Sequence, residues 1–388
     1  MKFVRLLLVL SLALPGAASS RTVQIAQLPP DVAPEAQAPI ALLVDLSSRQ
    51  TLYDRGGAAE FLPASMTKAM TALVVFDLIK TGKLREDTLV SIRPETATRW
   101  AGKGTTLNLR GGEQVRLGDL LMGTTVVSAN DAAVALAESA SGSTEAFVAA
   151  MNVRAKALGM AGSRFGTPSG FPDRGATVVT AADMILLADA LVTEHPDLYR
   201  RYIGKQTMVW RGATLSSHDP FAGVLAGADG IKTGHTFEAG FNFLGSVTRA
   251  GRRLVVVVGR SPTETGRAAA ARGLVEWGYS AFDNVPFLWS DWIVGAVKVQ
   301  GGDAREVAVA VPHDFRISTP EGVRYQVTAR IVYDGPVRAP IAKGAVVARL
   351  VVTGTGLPDH SIPLVATKAV AKAGPIDRLV NALLGLFG

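Results

Sequence analysis

The first strongly patterned stretch is the apolar run Ile40-Ala41-Leu42-Leu43-Val44-Asp45-Leu46, which predicts a strand. A second strand around Gln50-Thr51-Leu52-Tyr53 would fold back on it through the turn at Ser47-Ser48. After Pro63, apolar residues recur at helical spacing from about Ser65 to Lys80. The same spacing predicts helices at Leu117–Met122, Asp131–Ser139, Thr144–Leu158 and Ala181–Thr193. From Gly230 the pattern turns extended, with Ile231–Gly234, Gly240–Thr248 and Arg253–Gly259 reading as antiparallel strands. A helix at about Thr265–Gly278 comes next. Strands at both ends of one segment with helices between them predict an α+β unit over residues 39–284, an antiparallel sheet flanked by helices. Between residues 285 and 373, short alternating stretches such as Arg305–Val311 and Tyr325–Val332 are punctuated by turn residues. They predict a small all-β sandwich.

The two ends of the chain carry a different pattern. Lys2 and Arg5, the apolar run Leu6 to Leu14 and the small residues Gly16-Ala17-Ala18-Ser19-Ser20 have the three-part layout of a signal peptide over residues 1–20, and hence predict export. The apolar run is too short to cross a bilayer. At the other end, residues 375–388 begin at Pro375 and place Ile376, Leu379, Val380, Leu383, Leu384, Leu386 and Phe387 on one broad face of a helix. Such a helix either lies in a membrane surface or packs on the small domain.

Composition narrows the chemistry. The chain has no Cys, which excludes a thiol nucleophile, a Cys-based metal site and a disulfide framework. Its five His show no short metal-ligand spacing, so no metal and no cofactor is expected. Removing residues 1–20 takes away Lys2 and Arg5 and no acid, which lowers the net charge from +7 to +5. The remaining Lys and Arg are scattered without a basic arm, and with export this argues against nucleic acid as a partner.

Three short segments carry candidate chemistry. In Pro63-Ala64-Ser65-Met66-Thr67-Lys68, a helix would put the Ser65 hydroxyl and the Lys68 amine on one face, three residues apart. A lysine held neutral by burial or by a second cation can take a serine proton. In Val127-Ser128-Ala129-Asn130-Asp131, a hydroxyl and a carboxamide precede a helix, which read alone is an ordinary helix cap. The functional alternative gives Ser128 a proton to pass and Asn130 an amide to hold. In Asp229-Gly230-Ile231-Lys232-Thr233-Gly234-His235-Thr236, Gly234 leaves room for a substrate backbone beside the strand, and Lys232 and Thr233 offer a cation and a hydroxyl to a carboxylate.

The order Ser-x-x-Lys, Ser-x-Asn, Lys-Thr-Gly resembles the penicillin-interacting serine enzymes, and more closely the low-molecular-mass penicillin-binding proteins that are D-alanyl-D-alanine carboxypeptidases. The resemblance extends over most of residues 39–280. It implies a penicillin-binding, β-lactamase-like transpeptidase domain in which Ser65 is acylated, Lys68 is its base, and Ser128 and Asn130 form the second catalytic element. It further implies an oxyanion hole from the N–H groups of Ser65 and His235, and a carboxylate site at Lys232, Thr233 and Arg260. The expected substrate is a peptidoglycan stem peptide ending in D-Ala-D-Ala, with β-lactam antibiotics as covalent inhibitors. Residues 375–388 resemble the family's amphipathic anchor on the inner membrane, which makes the protein periplasmic. Where relatives often carry an Arg before the Lys-Thr-Gly strand, this chain has His218-Asp219-Pro220. An endopeptidase acting on cross-links uses the same chemistry. A β-lactamase would need a water-activating Glu loop, which the segment between Asn130 and Lys232 lacks, and a non-catalytic wall-binding protein would be expected to lack a motif residue.

Overall fold

A computed structural model describes residues 38–320, 327–354 and 357–374; the signal-peptide reading of 1–20 and the helix reading of 375–388 lie outside the described residues. The chain divides into two compact units between Ser280 and Ala281.

The first unit is built on one antiparallel five-stranded sheet, in the spatial order Gln50–Arg55, Ile40–Asp45, Arg252–Ser261, Gly240–Arg249 and Ala228–Thr236. Ile40 pairs with Gly259 and Asp45 with Leu254, so the beginning and the end of the unit meet in its middle. Leu254 to Val258 are all buried because helices cover both faces of the central strand. The helix Glu264–Ser280 packs on one face, with Gly278 against Leu43 and Leu254. On the other face Val255 and Val257 join a core shared with the helices Lys68–Lys80, Asn130–Ser141, Thr144–Ala157 and Ala181–Glu194. The helix Lys68–Lys80 is buried at every position from Lys68 to Phe76, which is why its sequence is apolar nearly all round.

Some short elements carry too few residues for a periodic signal. They include the helices Pro94–Trp100 and Pro196–Tyr202, each with proline in its first turn, and the hairpin Leu89–Ser91 with Gln114–Arg116.

The second unit is all-β. A two-stranded ribbon, Phe282–Leu288 with Phe315–Pro320, accompanies a six-stranded sheet. Phe287, Leu288, Phe315 and Ile317 from the ribbon pack with Val297, Val307, Leu350 and Leu364 of the larger sheet in one core. One pair in that sheet, Val299 with Val337, is parallel.

Candidate active site

Ser65 does not open an α-helix. It sits in a 3-10 turn, Ala64–Thr67, and the α-helix begins at Lys68. With three residues per turn, positions i and i+3 eclipse, and Lys68 Nζ lies 2.8 Å from Ser65 Oγ. Ser65 is half-buried and Lys68 fully buried. Nζ also reaches Asn130 Oδ1 at 2.8 Å and the Ser169 carbonyl at 2.6 Å.

Burial holds the Lys68 amine well below the usual lysine range, the nearby charge of Lys232 adds to this, and Asp131 opposes it. A neutral amine has two N–H donors and one lone pair. As an ammonium Lys68 donates to all three oxygens; once neutral it keeps its N–H groups for the Asn130 and Ser169 oxygens, which can only accept, and its lone pair is left for the Ser65 hydroxyl. The orientation of Asn130 is set by its Nδ2, which donates to the Lys103 carbonyl at 3.0 Å.

Ser169 is a site residue that the motifs do not indicate. The turn Thr167-Pro168-Ser169-Gly170 carries its carbonyl to Lys68, and Gly170, at φ +70°, is what lets the turn approach. A Cβ on Gly170 would lie 1.8 Å from the Ala64 carbonyl oxygen. The Pro-Ser-Gly sequence is the available signal, but it predicts only a turn.

Neither Ser128 nor Asn130 is the N-cap of the helix that follows, Asn130–Ser141. The helix Leu117–Met122 runs into a π-turn, Gly123–Val127, and Ser128 comes next in the left-handed conformation with φ 68° and ψ 27°. Ala129 occupies the cap position and makes no side-chain cap bond. A non-glycine residue held left-handed costs about 1–3 kcal/mol and is characteristic of functional sites, as are π-turns. Ser128 Oγ has no hydrogen bond among the described residues, and Ser128 is largely buried. Asp131, also unexpected, anchors the flanking loop: its carboxylate accepts the N–H groups of Leu107 (2.9 Å), Leu109 (3.0 Å) and Ala132 (2.9 Å).

Lys232, Thr233, Gly234 and His235 lie on Ala228–Thr236, the edge strand of the sheet. Gly234 is required by the nucleophile turn: a Cβ there would lie 2.2 Å from the Pro63 carbonyl oxygen, 3.0 Å from Met66 N and 3.2 Å from Ser65 N. The edge strand is thereby pressed against the serine turn. Lys232 is buried, its Nζ donates to the Thr233 carbonyl at 3.1 Å, and burial pulls it down to about 7 while Asp219 pushes it up and Arg267 down. His235 is exposed and stacks on Phe241 with ring centroids 3.9 Å apart.

Arg260 is the member that the contacts do not tie in. Its guanidinium is exposed and bonds to none of the other site residues. Its backbone is left-handed at φ 59°, and its N–H donates to Asn242 Oδ1 at 2.7 Å. Asn242 in turn donates to the Leu62 carbonyl, which links this strand end to the nucleophile loop. Beside the serine turn opens a cleft of about 300 Å³, lined by Leu62, Pro63, Ala64, Gly170, Phe171 and Thr236.

Among the described residues one cluster has the composition of a metal site, Asp77, Glu194 and His195, whose ligand atoms lie within 4.8 Å of one another. Arg154 already bridges both carboxylates, with Nε 2.9 Å from Asp77 Oδ2, and His195 Nε2 lies 2.8 Å from Asp77 Oδ1. It reads as an ion-pair network.

A serine turn pressed against a sheet edge, with a buried lysine and an Asn beneath it, defines the class of serine enzymes that penicillins acylate. The comparisons with known proteins agree. The profile of the D-alanyl-D-alanine carboxypeptidase family matches residues 26–263, and that of the penicillin-binding protein 5 C-terminal domain matches residues 282–372. The chain belongs to the D-alanyl-D-alanine carboxypeptidase family. It is 30% identical over 394 residues to the D-alanyl-D-alanine carboxypeptidase DacA of Escherichia coli (strain K12), covering 100% of this chain and 96% of the relative. It is 32% identical to DacD of Salmonella typhimurium over 87% of each chain. Penicillin-binding protein 5 from Haemophilus influenzae superposes with a TM-score of 0.77 at 30% identity, over 89% of this chain and 100% of that one. The ampicillin-bound penicillin-binding protein D2 from Listeria monocytogenes gives 0.55 at 29% identity, over 63% and 98%.

Proposed function

We propose that this protein removes the terminal D-alanine from peptidoglycan stem peptides ending in D-Ala-D-Ala, through an acyl-enzyme on Ser65. The observation that carries the reading is the buried Lys68 amine 2.8 Å from Ser65 Oγ, with its other contacts filled by pure acceptors. Ser65 Oγ attacks the carbonyl of the penultimate D-alanine and its proton passes to Lys68 Nζ. The N–H groups of Ser65 and His235 stabilise the oxyanion. As the C–N bond breaks, the proton returns through the Ser128 hydroxyl to the leaving nitrogen, and water then hydrolyses the ester. Lys232, Thr233 and Arg260 hold the carboxylate of the departing D-alanine, and the cleft beside Ala64 takes the rest of the stem. β-Lactams acylate the same serine. The signal-peptide pattern at 1–20 and the apolar face at 375–388 support export and attachment to the inner-membrane surface.

The test is Ser65→Ala, assayed for D-alanine release from a pentapeptide and for labelling by a fluorescent penicillin. Both should vanish together with the fold intact. Full labelling of the variant would refute the assignment.

A further inference from the structure

The segment His218-Asp219-Pro220 lies behind the Lys-Thr-Gly strand. Asp219 and Lys232 line the same small cavity, of about 10 Å³, together with Thr125, Lys205, Ser217 and Thr233. That is room for about one water molecule, and its walls are polar. Asp219 Oδ1 accepts the Phe221 N–H at 2.8 Å, and its Oδ2 has no hydrogen bond among the described residues.

The charges around Lys232 are unbalanced without this carboxylate. Lys68 approaches from the nucleophile helix and Arg267 from the helix Glu264–Ser280, while Lys205 lines the cavity but is exposed to solvent. Arg267 is buried and its Nε has no partner, although its Nη2 donates to Glu264 at 3.0 Å. The other acids nearby are committed elsewhere: Asp131 to three backbone N–H groups, and Asp229 to Arg253 at 2.7 Å. Asp219 is the anion that shares the cavity with Lys232. A buried ammonium beside other cations loses its proton unless an anion offsets them.

We propose that Asp219 is a positioning residue for substrate selection, the internal counter-ion that keeps Lys232 an ammonium and so lets the site take substrates ending in a free carboxylate. This rests on the reading of Lys232 as a carboxylate-binding group. Burial pushes the Asp219 carboxyl up to about 6, against the Phe221 N–H, Lys232 and Arg267, which pull it down; above that value it is ionised and raises the proton affinity of Lys232, which burial lowers to about 7.

The experiment measures kcat/KM against pH for the wild type, Asp219→Asn and Asp219→Glu, on a peptide ending in D-Ala-D-Ala and on the same peptide with its terminal carboxylate amidated. Removing the anion lets Lys232 lose its proton earlier, so in Asp219→Asn the alkaline limb for the acid substrate should move down by about one pH unit or more. The penalty should therefore be larger at pH 8 than at pH 6 by about fivefold or more, while the amide substrate shows no such shift. Asp219→Glu should bring the limb back. If Asp219→Asn loses the same factor at every pH on both substrates, or its limb does not move, the proposal is overturned. If the wild type itself does not distinguish acid from amide, it is the reading of Lys232 that fails.

Discussion

Gly234→Ala is the substitution that the structure judges most sharply. The added methyl would start 2.2 Å from the Pro63 carbonyl oxygen, where a carbon and an oxygen normally keep at least about 3.3 Å. Relief therefore needs a movement of roughly 1 Å between the edge strand and the turn carrying Ser65. Neither neighbour can rotate away, because the three nearest atoms are all backbone. Overpacking of this kind costs about 1–3 kcal/mol of stability, which a domain of this size survives. The effect on chemistry is larger. Displacing a reacting group by about 1 Å costs about a hundredfold in rate, and here the shift would separate Ser65 from both the edge strand and Lys68. The assay is the second-order rate of acylation by a fluorescent penicillin, with thermal unfolding to show that the protein is folded. A folded Gly234→Ala that acylates within threefold of wild type would refute the argument that this glycine exists to seat the serine turn.

Lys68→Ala should lose acylation nearly as fully as Ser65→Ala, since residues acting as one unit give non-additive losses; retention of more than about a tenth of the rate would remove Lys68 from the role of base. In wild type, kcat/KM should rise as pH climbs through the depressed proton affinity of Lys68 and fall as Lys232, pulled down to about 7, loses its proton. Lys232→Arg, whose cation does not titrate, should abolish the alkaline limb whatever its absolute rate, and a limb that persists there belongs to another group. Arg260→Ala should lower kcat/KM for a free-acid substrate by about ten- to a hundredfold, the worth of a charge-assisted hydrogen bond, and for the amidated substrate much less. Equal losses would make Arg260 a support for the strand end, consistent with its N–H bond to Asn242.

Much of the first unit is legible in the sequence because its core elements are long and uniformly patterned. The run Ile40 to Asp45 and the valines from Val255 to Val258 are apolar nearly without interruption because both faces of those strands are covered. The helix Leu117–Met122 is predicted to the residue. The segment directly after it, Gly123–Val127, is not legible, because Thr124 and Thr125 return their hydroxyls to the carbonyls of Leu120 and Leu121, and a π-turn arises where spacing alone reads only a cap. Helical periodicity likewise cannot separate a 3-10 turn from the first turn of an α-helix, so it puts Ser65 on the right face in the wrong kind of turn.

By itself the sequence determined which groups are available: a hydroxyl three residues before a lysine, a Ser-x-Asn, a Lys-Thr-Gly on a strand, no thiol, and an α+β unit followed by a β unit. These are local quantities, set by residue type and spacing. The tertiary structure decided which atoms meet. Lys68 touches Asn130, 62 positions away, and the Ser169 carbonyl, 101 positions away, and the burial that comes with those contacts lowers the proton affinity of the amine. In the same way, a half-buried carboxylate from His218-Asp219-Pro220 comes to share a cavity with Lys232 only once the sheet has formed. Proton affinity depends on desolvation and on charges brought near through space, and neither is written in the spacing of a chain.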